Sequence, residues 1–219
     1  METQGFTGFT PGALSFLQTL HENNDRAWFN ANRKAYEADV KAPATLLAER
    51  LAQEVEALTG HPHNAKLFRI HRDTRFSKDK TPYNTHIRIA LTPQGLGPLP
   101  GWFFGVGLAK LSLGTGLFAF SKEELAAFRA RVASDGARVE EVLNAQIEKG
   151  ARLDPPELKR VPHGLPKDHP QADLFRHKSL TAWRDYGNPM ILSDPDLVSM
   201  CLRDFKSLSP VWQFCRSLT

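Results

Sequence analysis

The chain has 219 residues, with 28 Lys and Arg against 24 Asp and Glu, for a formal net charge of +4. Hydrophobic residues make up 41% and charged residues 24%, globular proportions that exclude a disordered or fibrous chain. The length suits one domain whose core is large enough to need no staples. Two cysteines, Cys201 and Cys215, exclude a disulfide framework and cannot alone form a four-ligand zinc site. The opening METQGFTGFT has no basic segment followed by an apolar core. A secretory leader is therefore not expected, and the expected compartment is the cytoplasm.

The first third reads as helical. Thr10 is placed to cap a helix with Pro11 at its first position, followed by Leu14, Leu17 and Leu20 at helical spacing. A second helix is expected from Asn24 or Asp25, with Trp28, Phe29, Tyr36 and Val40 on its apolar side. Pro43 is expected to open a third, in which Leu47, Leu51, Val55 and Leu58 recur every three or four residues until Gly60.

The period then changes. Residues 66–72 alternate Phe68 and Ile70 with Arg69 and His71, and residues 85–91 alternate Ile87, Ile89 and Leu91 with His86, Arg88 and Ala90. Both patterns predict half-buried strands. From Leu99 to Phe120 the only charge is Lys110, over a length that matches a membrane helix. Gly101, Gly105, Gly107, Gly114 and Gly116, with Ser112 and Thr115, interrupt it. Short strands joined by tight turns are the better expectation, including a turn at Gly114–Gly116 that needs positive φ.

Ser121 and Glu124 have the spacing of a capping box for a helix over about 122–134, with another running on to Gly150. The proline-rich segment from Leu153 to Pro170 predicts an ordered loop. A short helix, a strand near 179–185 and a terminal helix from Ser193, kinked or restarted at Pro210, complete the chain. The expected architecture is a single α+β domain over 1–219, a mainly antiparallel sheet of four to six strands packed against N-terminal and C-terminal helices.

The unusual chemistry lies in residues 66–88, KLFRIHRDTRFSKDKTPYNTHIR. Seven cations (Lys66, Arg69, Arg72, Arg75, Lys78, Lys80, Arg88) face two carboxylates, Asp73 and Asp79. The local charge is +5, so the rest of the chain sums to −1. Cations gathered this densely repel one another unless carboxylates, water or an anionic ligand accept them. A hairpin between the two strands would collect them at one end of the sheet.

The run RIHRDTRFSKDKTPY, from Arg69 to Tyr83, resembles the signature of a mainly bacterial family of uncharacterised proteins, domain of unknown function 2461. The resemblance extends to FTGFTPGALSFLQTLHENNDRAWFNANRKAY, the glycine-rich aromatic strands, and LKRVPHGLPKDHPQADLFRHKSL. It implies a shared fold and a shared motif. The family has no established activity, so no catalytic residue is implied.

Chemically, Arg72 and Arg75 present planar forks suited to phosphate or carboxylate, and Lys78 and Lys80 act as point charges. The expected site binds a phosphorylated small molecule or nucleotide through Arg69, Arg72, Arg75, Lys78 and Lys80, with Asp73 and Tyr83 orienting it. Two other readings compete. A nucleic-acid module would stack bases on Phe68, Phe76 and Tyr83, and would need Arg26, Arg33, Lys34 and Lys41 to join the patch. A structural network would pair the motif with Asp25, Glu37 and Asp39, extended by Arg26 and Arg33. Two carboxylates cannot neutralise seven cations locally, which favours the anion site.

Other chemistry is weakly signalled. None of the eight histidines sits in a zinc pattern, although His71 and His86 are placed to face each other across the hairpin. Ser77 and Ser179 lack a nucleophile-elbow context, and Cys201 sits among apolar residues as an inert thiol would. SLGTGLF is not a phosphate loop, and no strand–glycine–helix dinucleotide unit occurs. No cofactor, metal or membrane partner is expected, and the pattern specifies neither a reaction nor an oligomeric state.

Overall fold

Helix α1 (Gly12–Glu22) buries Ala13, Leu14, Phe16, Leu17 and Leu20 along one face, as its leucine spacing requires. The computed structural model describes residues 6–95 and 100–218. Thr10 contributes its carbonyl to the Ala13 amide, and the cap position itself falls on Pro11, whose φ is already helical. Asp25 caps α2 (Arg26–Ala31) by accepting from the Trp28 amide at 2.9 Å. A short α3 (Arg33–Ala35) and a π-helical stretch over Tyr36–Lys41 then lead without a break into α4 (Ala42–Thr59).

Pro43 therefore does not open a separate helix. It lacks an amide hydrogen and its ring crowds the carbonyl four residues back, and the wider π turn just before it accommodates both defects. Gly60 ends α4 in the left-handed region at φ +74°.

Among the described residues six strands form one sheet: β1 (His63–Leu67), β2 (His86–Pro93), β3 (Gly101–Gly107), β4 (Leu111–Leu117), β5 (Arg152–Leu153) and β6 (Leu180–Tyr186), in the order β1-β2-β3-β4-β6-β5. The fold is α+β. β1 pairs antiparallel with β2, Leu67 opposite Ile89, and β5 antiparallel with β6. The expected strand over 66–72 is displaced: the ladder starts at His63 and ends with the Phe68 amide on the Arg88 carbonyl. Phe68 is 48% exposed while Ile70 is buried, so their alternation does not mark one pleated face. A period of two over so few residues also fits irregular chain.

The apolar stretch from Leu99 resolves as β3 and β4, Leu99 itself lying outside the described residues. Among those residues, no helix is long and apolar enough to cross a membrane. Gly114 and Gly116 form no turn. Both lie in β4, against β6, and a Cβ on Gly114 would sit 2.3 Å from the Trp183 ring. At Gly116, φ is +130° and a Cβ would meet the Leu180 carbonyl oxygen at 2.0 Å.

The capping box forms as expected. Ser121 Oγ accepts from the Glu124 amide at 3.1 Å, and Glu124 accepts from the Ser121 amide at 2.6 Å, opening α5 (Lys122–Glu148). The expected pair of helices appears as a kink at Asp135, whose φ −150° and ψ 46° are not helical. The proline-rich segment is held in place by hydrogen bonds. Asp154 accepts from Trp183 Nε1 at 2.9 Å, Glu157 from the Lys178 amide at 2.7 Å, and the Leu158 carbonyl from Arg176 at 2.8 Å. Helix α6 (Leu197–Arg216) begins four residues later than Ser193, after a 3-10 turn over Pro189–Ser193, and continues through Pro210.

The chain groups into two compact units. One contains, among the described residues, 6–94 with Phe103–Ser112 and Tyr186–Arg203. Its core holds the buried faces of α1 and α4 and Ile87, Ile89 and Leu91 of β2; α1 and α4 both pack on the π stretch, and α4 also packs on β1 and β2. The other contains Leu113–Asp185, Trp102 and the chain from Asp204. There Trp102 stacks on Trp212 at 5.9 Å and lies against Phe205, and Phe128 and Phe175 are fully buried. Cys201 and Cys215 are buried and form no disulfide with each other, and burial raises the Cys215 thiol to about 12, which keeps it protonated and inert.

Candidate functional site

Beyond β1 and β2 the two limbs continue as an irregular hairpin. The Asn84 amide donates to the Ile70 carbonyl at 2.7 Å and the Arg72 amide to the Pro82 carbonyl at 2.9 Å, with His71 bridged to Tyr83. His71 therefore faces Tyr83 and not His86. Tyr83 is only 5% exposed and stacks on Phe29 of α2 at 4.1 Å, with the His71 ring edge-on to both. The Asn24 side-chain amide completes the anchor. Its Nδ2 donates to the Tyr83 carbonyl and its Oδ1 accepts from the Tyr83 amide, both at 3.0 Å, as a neighbouring strand would.

Above this anchor the loop is closed by its own charges. Arg72 Nη1 donates to Asp79 at 2.6 Å, to the Thr81 carbonyl at 3.1 Å and to the Thr81 hydroxyl. Asp79 also accepts from the Thr81 amide and hydroxyl at 3.0 and 2.9 Å. The Thr81 amide, Arg72 and the Thr81 hydroxyl together hold the Asp79 carboxyl down at about 2. At the tip Asp73 chelates Arg75: Nη2 lies 2.7 Å from Oδ2 and Nε 3.0 Å from Oδ1, and these bonds lower the Asp73 pKa. Lys80 Nζ donates to the Thr74 carbonyl at 2.9 Å.

These contacts divide the residues expected at the site. Arg72, whose side chain is 24% exposed, and Tyr83 hold the loop together. Asp73 spends its oxygens on Arg75. Arg69, Arg75, Lys78 and Lys80 are displayed to solvent, along with Lys66 and Arg88. Among the described residues, no carboxylate lies within ion-pair distance of Arg69, Lys78 or Arg88. Of the carboxylates expected as partners, Asp25 caps α2 and Glu37 pairs with Lys41 at 2.8 Å, and among the described residues Asp39 makes no ion pair with the loop. The loop's ion pairs are thus internal, and its link to α2 is aromatic and amide-mediated.

Two exposed aromatics accompany the cations. Phe76 at the tip is 96% exposed with the Arg75 guanidinium 5.9 Å from its ring centre, and Lys66 lies 5.0 Å from the ring centre of Phe68. Sequence reasoning missed Asn24, Phe29 and Thr81. Asn24 looked like part of a helix start and Phe29 like ordinary core, so neither signalled its partnership with a residue more than fifty positions away.

His86 is half-buried beside Gly107, and burial, then the charges of Arg88 and Arg72, hold its imidazole down at about 4. The unfolded chain takes up this proton near pH 6.5, the folded chain only near 4. Stability contributed by the neutral ring is therefore fully present above about pH 6.5 and lost as pH falls through 4. His63 and His177, also lowered by burial, act in the same direction. Melting temperature should fall between pH 6.5 and 4, and His86→Gln should remove part of that slope. Identical slopes in the two proteins would rule out His86 as a contributor.

Among the described residues, no group of three His, Cys, Asp or Glu side chains is placed to hold a metal ion. No curated protein matches the sequence. The family described as conserved hypothetical protein (DUF2461) matches residues 12–214, nearly the whole chain, including the basic loop, Asn24 and Phe29 that anchor it, and the later KRVPHGLPKDHP block. This chain belongs to the DUF2461 family.

Proposed function

We propose that the Arg69–Tyr83 loop is a binding site for phosphate groups, such as those of a phosphorylated small molecule or nucleotide. The observation that supports this is the imbalance left after the internal pairs are counted. Asp73 and Asp79 are taken by Arg75 and Arg72, while Arg69, Lys78, Lys80 and Arg88 have no carboxylate partner among the described residues. A loop that spends two ion pairs on its own shape and still displays three cations, with Arg88 of β2 beyond it, is organised to receive an anion. Arg69, Lys78 and Lys80 supply charge. Arg75, held at Nε and Nη2 by Asp73, presents Nη1 in a preset direction. Tyr83 acts from beneath, by fixing the limbs.

Thermal unfolding with and without inorganic phosphate, mononucleotides and sugar phosphates tests this. A ligand at about 100 times its dissociation constant stabilises the folded chain by about 2.7 kcal/mol. The shift should disappear in an Arg69→Gln/Lys78→Gln double variant. The basal melting temperature of that variant, and of Arg75→Gln, should stay near wild type because these side chains are exposed. If no phosphate-bearing compound moves the wild-type transition, the proposal fails. A large basal drop in Arg75→Gln would instead make the motif structural.

A further inference from the structure

We infer that the phosphate groups belong to a single-stranded nucleic acid, and that its strand runs from the basic loop onto the helical segment bearing Asn30, Arg33 and Lys34. This rests on the phosphate reading of the loop and narrows it. Small-ligand sites enclose most of their ligand. Here the tip is open, with the Arg75 side chain 77% exposed and Phe76 96% exposed. A mononucleotide on such a tip is touched from one side only. A strand collects several weak phosphate contacts at once, and its bases need flat apolar faces to stack on. Phe76 and Phe68 are exposed, and each already has a cation beside it.

The second observation is independent of the loop. An open groove of about 670 Å³ is lined by Asn30, Arg33, Lys34, Glu37 and Ala38. Arg33 and Lys34 are exposed, and among the described residues neither has a carboxylate within ion-pair distance. The one acidic residue lining the groove, Glu37, is neutralised by Lys41 at 2.8 Å. The groove starts at Asn30, the residue after Phe29, whose ring stacks on Tyr83, so this segment continues directly from the helix on which the loop is anchored. Unpaired bases are required because the rings of a duplex are stacked on one another and unavailable to Phe76. The negative strand matches the charge of both surfaces.

Fluorescence anisotropy with labelled oligothymidylates of about four and about sixteen nucleotides tests the inference, the lengths spanning typical single-strand site sizes. The longer probe should bind more tightly, with log affinity falling against log salt by roughly 0.7 for each phosphate neutralised. Arg33→Ala/Lys34→Ala should weaken the longer probe and flatten that slope by roughly 1.4, leaving the short probe and inorganic phosphate unchanged. Phe76→Ala should cost on the order of five- to a hundredfold in oligonucleotide affinity and nothing for inorganic phosphate. All three side chains are exposed, and circular dichroism verifies folding.

Equal affinity for both lengths with unaltered phosphate binding would overturn the strand while sparing the loop as a phosphate site. Sedimentation with phosphatidylserine vesicles, with no oligonucleotide binding, would overturn it in favour of a membrane surface. No response to any of these probes would remove both proposals.

Discussion

Gly116→Ala lowers the stability of the chain by about 3–5 kcal/mol, combining left-handed strain with overpacking. The added methyl group meets the Leu180 carbonyl oxygen at 2.0 Å and the Thr181 Cα at 2.9 Å, and these backbone atoms of β6 cannot rotate aside. The residue must also keep φ at +130°, a conformation that side chains rarely adopt. A loss of this size is a large part of a typical folding free energy. Gly164→Ala is the control. Its φ of +85° is equally left-handed, yet nothing lies within 4 Å of its Cβ position, so only about 1–2 kcal/mol is expected. Denaturant midpoints of the two variants check the argument, and equal midpoints would mean that β6 does not press against Gly116.

Tyr83→Ala has the second largest expected effect, about 3–5 kcal/mol for truncating a buried aromatic. It removes the stack on Phe29, which secures the loop to α2, and the edge contact with His71 across the hairpin. The loss should appear locally as well as globally. Trypsin should cut between Arg69 and Lys80 faster in the variant, because the loop displays many cleavage sites once it is released. Tyr83→Phe keeps the ring and should melt near wild type. Asn24→Ala should lie between them, since it removes the side-chain partners of the part-buried Tyr83 amide and carbonyl, at about 1 kcal/mol each. If Tyr83→Ala remained as stable and as protease-resistant as wild type, the loop would have to be held by its ion pairs alone.

The contrast between Arg72 and Arg75 explains why the motif was only partly legible beforehand. Both have the same chemistry and stand three positions apart, yet Arg72 closes the loop on Asp79 and Thr81, while Arg75 is held at the tip by Asp73. Composition reports a surplus of positive charge at this place and cannot say which cations are consumed internally. That depends on where the limbs cross, and the crossing is set by Tyr83 meeting Phe29 and Asn24. The strand expected over 66–72 went astray for a related reason: the run's alternating pattern does not distinguish a pleated edge from a departing limb.

Signals that act within one turn of chain were sufficient for much of the rest. The Ser121 capping box, the Gly60 helix end, the apolar stripe of α4 and the break between the two halves of α5 are signalled by residues a few positions apart, whereas the alternation of β2 holds only as far as Ile89, because Ala90 is buried as well. Their geometry is local, so the residue order specifies it directly. The α+β class and the basic concentration between the first two strands follow from the same local patterns. Position along β1, the glycines that admit β6, the continuous passage through Pro43 and the anchor beneath the basic loop do not. Each depends on a partner distant in sequence or on a backbone register that several sequences share, and only folding brings those partners within contact distance.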